Sequence, residues 1–365
     1  MRILFIQKSG GPGGSKLSLL STLRALHETD DLAVLCQQSG DLGEQCRAMG
    51  IPVHVGHLPR WRNVLDRLTF GWAMDRIARA LSDVHYDWII SNEMWWAPHA
   101  TQLASRLSAR SACILRDTLV AGRKERDYRL GQLDLVLAVS DAIRGTISHP
   151  HCHTLYNIVD PPQSDTAIDS KLSALLSRHE TVRRWLLLVG KVEPRKNQLA
   201  ALGVLRRIRE QGHADVGLLL VGGEERAYGG ALREACGRMR LADQVVVAGH
   251  LPSAGSAFRL ATATLCTSQR EGLPRVVIES FLSGTPCFSY PLPGIEEILG
   301  SWRDVFATEV TGESQLADLV SPFLRQPAEA LSAAKQVADR CASRFSSDAH
   351  ARRLRALLEG PSVAE

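Results

Sequence analysis

Residues 270–286 read Arg270-Glu271-Gly272-Leu273-Pro274-Arg275-Val276-Val277-Ile278-Glu279-Ser280-Phe281-Leu282-Ser283-Gly284-Thr285-Pro286, a pattern of loop, helix and turn into another strand. The run Ala263 to Thr267 before them is short, apolar and rich in β-formers, as a buried parallel strand should be. Pro274 suits the first helical position, where a missing N–H costs nothing. Leu273, Val276, Val277, Phe281 and Leu282 supply a buried stripe, and Gly284 with Pro286 ends the helix. Backbone N–H groups near Gly272 to Arg275 then point out of a helix N-terminus, a site for phosphate or another anion. Glu271 sits beside that site in the loop. Glu279 lies further along the helix, roughly 7 Å from its start at 1.5 Å per residue.

Two glutamates eight positions apart also describe a solvated surface pair. The whole string EGLPRVVIESFLSGTP, however, resembles the Glu-x7-Glu pattern of the GT-B glycosyltransferases, in the large retaining family known as glycosyl transferases group 1 (family 4-like). That resemblance implies an α/β chain of two Rossmann-like parallel-sheet domains facing a cleft. It also implies that Glu271 lies near a transferred sugar, that Gly272, Leu273, Pro274 and Arg275 hold a diphosphate, and that Glu279 holds a ribose diol.

Composition agrees with that size of fold. A chain of 365 residues is long for one core and comfortable for two domains. With 45% hydrophobic and 22% charged residues it is ordinary globular material, which excludes disorder. The net charge of +4 is too mild to call for nucleic acid, though it suits phosphorylated ligands or an anionic membrane surface. Eight cysteines without a Cys-x-x-Cys pair indicate neither a zinc ribbon nor a disulfide framework, so a reducing cytoplasm, including the inner face of a membrane, is the expected setting. No apolar stretch has the length of a signal peptide or a bilayer span.

Ile3 to Ile6 reads as a first strand running into Lys8-Ser9-Gly10-Gly11-Pro12-Gly13-Gly14-Ser15-Lys16 and a helix from Leu17 to Leu26. Neither the dinucleotide fingerprint nor the P-loop spacing is met. In the resembling family a Gly-Gly pair here approaches the ligands, which makes Gly13 and Gly14 donor-binding candidates; a plain tight turn is the other reading. Strands and helices then alternate through residue 156, as a parallel sheet with helices on both faces requires. Among them are a helix over Val64 to Leu81, strands over Ala112 to Leu115 and Thr154 to Tyr156, and a later helix over Lys171 to Arg178.

Arginines interleave with apolar residues from Arg60-Trp61-Arg62 through Leu68 to Trp72. The preferred reading is a core helix with solvated arginines; the other is a peripheral membrane contact through Arg60-Trp61-Arg62 or a lipid-linked acceptor. Trp95-Trp96 stacks on a sugar or packs at a junction. Arg116-Asp117 stands where the family has His-Asp, so the histidine is lost and Asp117 becomes the acceptor-side catalytic candidate. His149 to His153 alternates along a strand and so converges poorly on a metal.

Past Pro161-Pro162 a second α/β half opens with Trp185 to Val189 and the loop Gly190 to Asn197. The resemblance places two cations on the donor diphosphate here, and Lys191 and Lys196 occupy those positions, with Arg195 adding to the field. Lysine keeps the charge but loses the bidentate fork of arginine. The turn Gly249-His250 corresponds to the family's base-reading turn. The expected domains are 1–163, binding acceptor, 164–344, binding nucleotide-sugar, and a terminal helix, 345–365, crossing back to the first.

The function implied is transfer of a sugar from a nucleotide-diphosphate-sugar donor to a saccharide, lipid-linked or other hydroxyl acceptor, with retention, in polysaccharide, lipopolysaccharide or glycoconjugate synthesis. Glu271, Asp117 and Lys196 are the catalytic candidates. No metal or cofactor is expected, since lysines and a helix N-terminus supply the positive field. A sugar-nucleotide epimerase or phosphorylase of the same fold, and a non-catalytic binding protein, are the alternatives.

Overall fold

The computed structural model describes residues 1–8, 14–116 and 126–360. Two compact units divide the chain, Met1–Ile158 together with the segment from Phe345, and Val159–Arg344. Gly13 and Asp117 lie outside the described residues.

The first unit runs β1 (Arg2–Gln7), α1 (Gly14–Leu26), β2 (Asp31–Cys36), α2 (Gly40–Ala48), β3 (Val53–Val55), α3 (Val64–Leu81), β4 (Trp88–Ser91), α4 (Ala97–Leu107), β5 (Arg110–Leu115), β6 (Leu135–Ala138), α5 (Asp141–Arg144) and β7 (Cys152–Thr154). Its strands pair in the order β3-β2-β1-β4-β5-β6-β7, all parallel. Ile3 to Ile6 are buried, as in a strand covered on both faces. The order reverses between β1 and β4, so Lys8 and Glu93 lie just beyond the carboxyl ends that flank the switch point.

The second unit runs α6 (Thr166–Leu176), β8 (Arg184–Val189), α7 (Gln198–Glu210), β9 (Val216–Val221), α8 (Arg226–Arg238), β10 (Val245–Gly249), α9 (Gly255–Leu260), β11 (Ala263–Cys266), α10 (Arg275–Leu282), β12 (Cys287–Ser289), α11 (Ile295–Leu299), α12 (Arg303–Phe306), α13 (Glu313–Arg325) and α14 (Ala328–Arg344). The sheet order is β10-β9-β8-β11-β12, again parallel throughout. Here the reversal falls between β8 and β11. Their exits are the Lys196 loop and the Glu271 loop. Helix α15 (Ser347–Glu359) belongs to the first unit, where Trp88 Nε1 donates to Leu358 O at 3.2 Å and Arg355 pairs with the buried Asp30 at 2.9 Å.

Four local expectations are corrected. Pro274 is the N-cap of α10 and not its first residue, because its ψ of 93° is extended. The strand expected over Thr154 to Tyr156 lies earlier, at Cys152–Thr154, where it pairs with Val136 to Ala138. The helix expected from Lys171 begins at Thr166, because the Asp165 carboxylate accepts from the N–H groups of Ala167 (2.7 Å) and Ile168 (3.2 Å).

The fourth concerns α3. It buries Phe70, Ala73, Met74, Ile77 and Leu81 but leaves Leu65, Leu68 and Trp72 exposed. Trp61 instead turns inward, its Nε1 donating to Asp127 O at 2.9 Å and its ring lying 5.0 Å from that of Phe70. The core-helix reading therefore holds for one face of α3 only.

Candidate active site

The site grows out of the β8 and β11 exits. Thr267 Oγ1 donates to the carbonyls of Lys196 (3.1 Å) and Asn197 (3.0 Å), and Gln269 N donates to Arg195 O (2.9 Å), so the two loops are tied backbone to backbone. Lys196 Nζ then reaches Glu271 Oε1 at 2.6 Å, with side-chain exposures of only 15% and 13%. Arg195 Nη1 donates to the same oxygen at 3.1 Å and its Nε to Glu193 Oε1 at 3.1 Å. Lys191 Nζ lies 3.7 Å from Glu193 Oε2 and is largely solvated. Lys196 and Arg195 thus converge on Glu271, whereas Lys191 turns to Glu193. Five charges alternate in sign, Lys191, Glu193, Arg195, Glu271 and Lys196, which leaves one positive charge in excess.

Local backbone explains the arrangement. Gly190 has φ +149°, and a Cβ there would sit 3.0 Å from Lys196 Cε, so the lysine stem runs over the glycine. Gln198, fully buried at the start of α7, donates from Nε2 to Lys191 O (2.9 Å) and accepts from Glu193 N (3.4 Å). A Cβ on Gly222 would fall 2.1 Å from Gly190 O, and Gly222 N donates to Gly249 O at 2.8 Å. The exits of β8, β9 and β10 are therefore stacked backbone on backbone. Gly249, at φ +74°, and the exposed His250 occupy the third of them, away from Glu271.

Gly272, Leu273 and Pro274 are buried at the head of α10, and one turn on Glu279 Oε1 accepts from Arg275 Nη2 at 3.3 Å. Beneath the loops burial pushes the Cys266 thiol up, against the opposing charge of Lys196, so this cysteine is a packing residue and not a nucleophile.

In the first unit, Gly14 opens α1 and is exposed, while Lys16 pairs with Asp41. Arg116 is bound on two sides: it donates from Nη2 to Asn92 Oδ1 (2.6 Å), from Nε to Asn92 O (3.3 Å) and from Nη1 to Asn157 Oδ1. It therefore ties the β4 and β5 exits to the segment after β7. A cavity of about 430 Å³ opens nearby, its walls including Lys8, Arg60, Arg62, Glu93, Trp95 and Tyr128. Trp95 meets Tyr128 edge-on at 5.1 Å between ring centroids. Among the described residues no three His, Cys, Asp or Glu side chains gather to hold a metal, and His149 Nε2 instead lies 3.0 Å from Leu133 O.

Glu193, Gln198 and Thr267 were not singled out from the sequence. The alternation Lys191-x-Glu193-x-Arg195 was visible there. The Thr267 contacts span about seventy residues and leave no local trace.

With two parallel-sheet α/β units, each with residues at its switch point, the fold is that of the GT-B glycosyltransferases. The chain superposes on the structure of Anabaena HepE in complex with UDP and glucose with a TM-score of 0.82, 20% identity, and coverage of 99% of this chain and 100% of that one. A glycosyltransferase from Rickettsia africae gives 0.79 at 15% identity (98% and 97% covered), and the lipopolysaccharide outer core galactosyltransferase WaaB gives 0.70 at 15% (99% and 99%). Residues 176–340, within the second unit, match the family described as Glycosyl transferases group 1, and the chain is a glycosyltransferase. No curated protein matches the sequence.

Proposed function

We propose that the chain moves a hexosyl group from a nucleotide-diphosphate sugar to a hydroxyl acceptor with retention of configuration, and that it needs no divalent ion. One observation carries the reading: Lys196 and Arg195 converge on Glu271 at the β8/β11 switch point. The Lys196 ammonium has three donors, of which Glu271 takes one, so the same group can face a diphosphate. Breaking the C1–O bond sends its electron pair to the diphosphate. The acceptor oxygen bonds C1, and its proton ends on the departing phosphate oxygen. Lys196, Arg195 and the head of α10 stabilise that oxygen, Glu271 orients the sugar and balances the cationic ring, and Glu279 holds the ribose. Lys191 adds field from the loop edge, while Gly249 and His250 face the base. Asp117 and Gly13 keep their proposed acceptor-side and ligand-side roles. The complex of HepE with UDP and glucose supports a nucleotide-sugar donor.

The test is a thermal-shift panel of UDP, GDP, ADP and dTDP sugars in the presence of a chelator, because a ligand of the folded state raises its midpoint. One sugar nucleotide should stabilise the protein, and a labelled sugar should pass to an acceptor with its anomeric configuration kept. Loss of every shift on chelation, or isomerised donor without transfer, would overturn the reading.

A further inference from the structure

The outward face of α3 carries an arrangement that the transfer reaction does not use. Leu65, Leu68 and Trp72 recur at i, i+3 and i+7, one stripe opposite the buried Phe70, Ala73, Met74 and Ile77. Leu68 is 81% exposed and Trp72 59%, well beyond an isolated apolar side chain at a surface. Val64 stands exposed at the helix start. Beside Trp72 a crevice of about 390 Å³ is lined by Val55, Ile77 and Ala80, and Val55 is itself exposed.

Cations frame this stripe. Arg76 and Arg79 continue it at i+11 and i+14, and Arg76 lies 5.8 Å from the Trp72 ring centroid. At the other end Arg67 leaves the stripe, donating to Trp61 O at 2.8 Å and resting over the Trp61 ring at 4.9 Å, and Arg62 donates to Tyr128 Oη at 3.4 Å. None of the four arginines forms an ion pair among the described residues. The two acids of the helix are already engaged: Asp75 pairs with Arg106 at 2.5 Å, and Asp66 accepts from Arg60 N at 2.7 Å.

We propose that this face of α3 docks on an anionic lipid surface. Leu65, Leu68 and Trp72 enter the interfacial layer, and Arg76 and Arg79 lie at headgroup level. A protein partner or a second copy would satisfy the apolar stripe, but Arg76 and Arg79 on that stripe, with no ion pair among the described residues, match a surface of phosphates better.

The experiment is co-sedimentation of the full chain with vesicles of phosphatidylcholine mixed with phosphatidylglycerol, against vesicles of phosphatidylcholine alone. Binding should occur to the anionic vesicles, weaken with salt and shift tryptophan emission to shorter wavelength. The double substitutions Leu68→Ser with Trp72→Ser, and Arg76→Glu with Arg79→Glu, should each weaken it by roughly tenfold or more. Both pairs are exposed, so the thermal midpoint and its rise with donor should stay unchanged; that rise tests the transfer reading separately. Absence of vesicle binding, equal binding to neutral vesicles, binding unaltered in both variants, or a dimer that the Leu68→Ser/Trp72→Ser pair dissolves would each overturn the proposal.

Discussion

Gly294, at φ +79°, backs directly onto the carbonyl oxygen of Gly272, and a Cβ added to it would lie 2.8 Å from that oxygen. Glycine is required there twice, by the left-handed backbone and by the missing space. Gly294→Ala should cost roughly 1–3 kcal/mol of stability. It should also displace the loop that carries Glu271, so urea unfolding and donor KM should worsen together. Unchanged kinetics in a destabilised variant would separate the two effects.

Lys196 is only 15% exposed whereas Lys191 is 56% exposed, so their substitutions should differ. Lys196→Ala should lower kcat by about 10²- to 10³-fold, in line with the loss of one fixed donor at developing charge. Lys196→Arg should recover part of it. Lys191→Ala should cost only about tenfold or less, since an exposed charge is screened. Single-turnover assays with saturating donor decide the comparison.

Glu271 and Glu279 should separate in kinetics. Glu271→Gln is expected to lower kcat, because it removes charge beside the reacting centre. Glu279→Gln should raise donor KM about tenfold and leave kcat nearly intact, as for a group that binds ground and transition states alike.

Gln198 touches no expected substrate group, yet its carboxamide meets the backbone of Lys191 and Glu193. Gln198→Ala leaves part-buried backbone groups unmatched and should destabilise by about 1 kcal/mol. Donor affinity should fall with it, measured by calorimetric titration.

Two buried histidines set an acid limit. Burial lowers His350 to about 4 from 6.5; the Tyr156 carbonyl, 2.6 Å from Nδ1, opposes the shift and the charge of Arg116 adds to it. His99 is likewise lowered to about 4 by burial, with Nε2 2.9 Å from Pro59 O and Nδ1 without a partner among the described residues. Both are neutral in the fold, so the unfolded chain binds their protons first as pH falls. Stability is therefore full above about pH 6.5 and declines towards about pH 4, by an amount on the order of 3 kcal/mol per histidine. Urea titrations across that window should show the slope, and His350→Asn should flatten it.

Local sequence was enough for the alternation of strand and helix, the bounds of helices such as Val64–Leu81 and Gln198–Glu210, and the identity of the Glu271 string, because periodicity and turn residues act within a few positions. It also marked Lys191 and Lys196 as the cations of one loop. That Lys196 and Arg195 meet Glu271 while Lys191 turns to Glu193 is settled by long-range packing. That choice rests on Thr267, Gly190 and Gln198, whose contacts depend on which strands lie side by side. Tertiary packing likewise chose which face of α3 is buried: Arg, Leu and Trp are compatible with either side, and α4 packs against the stripe led by Phe70.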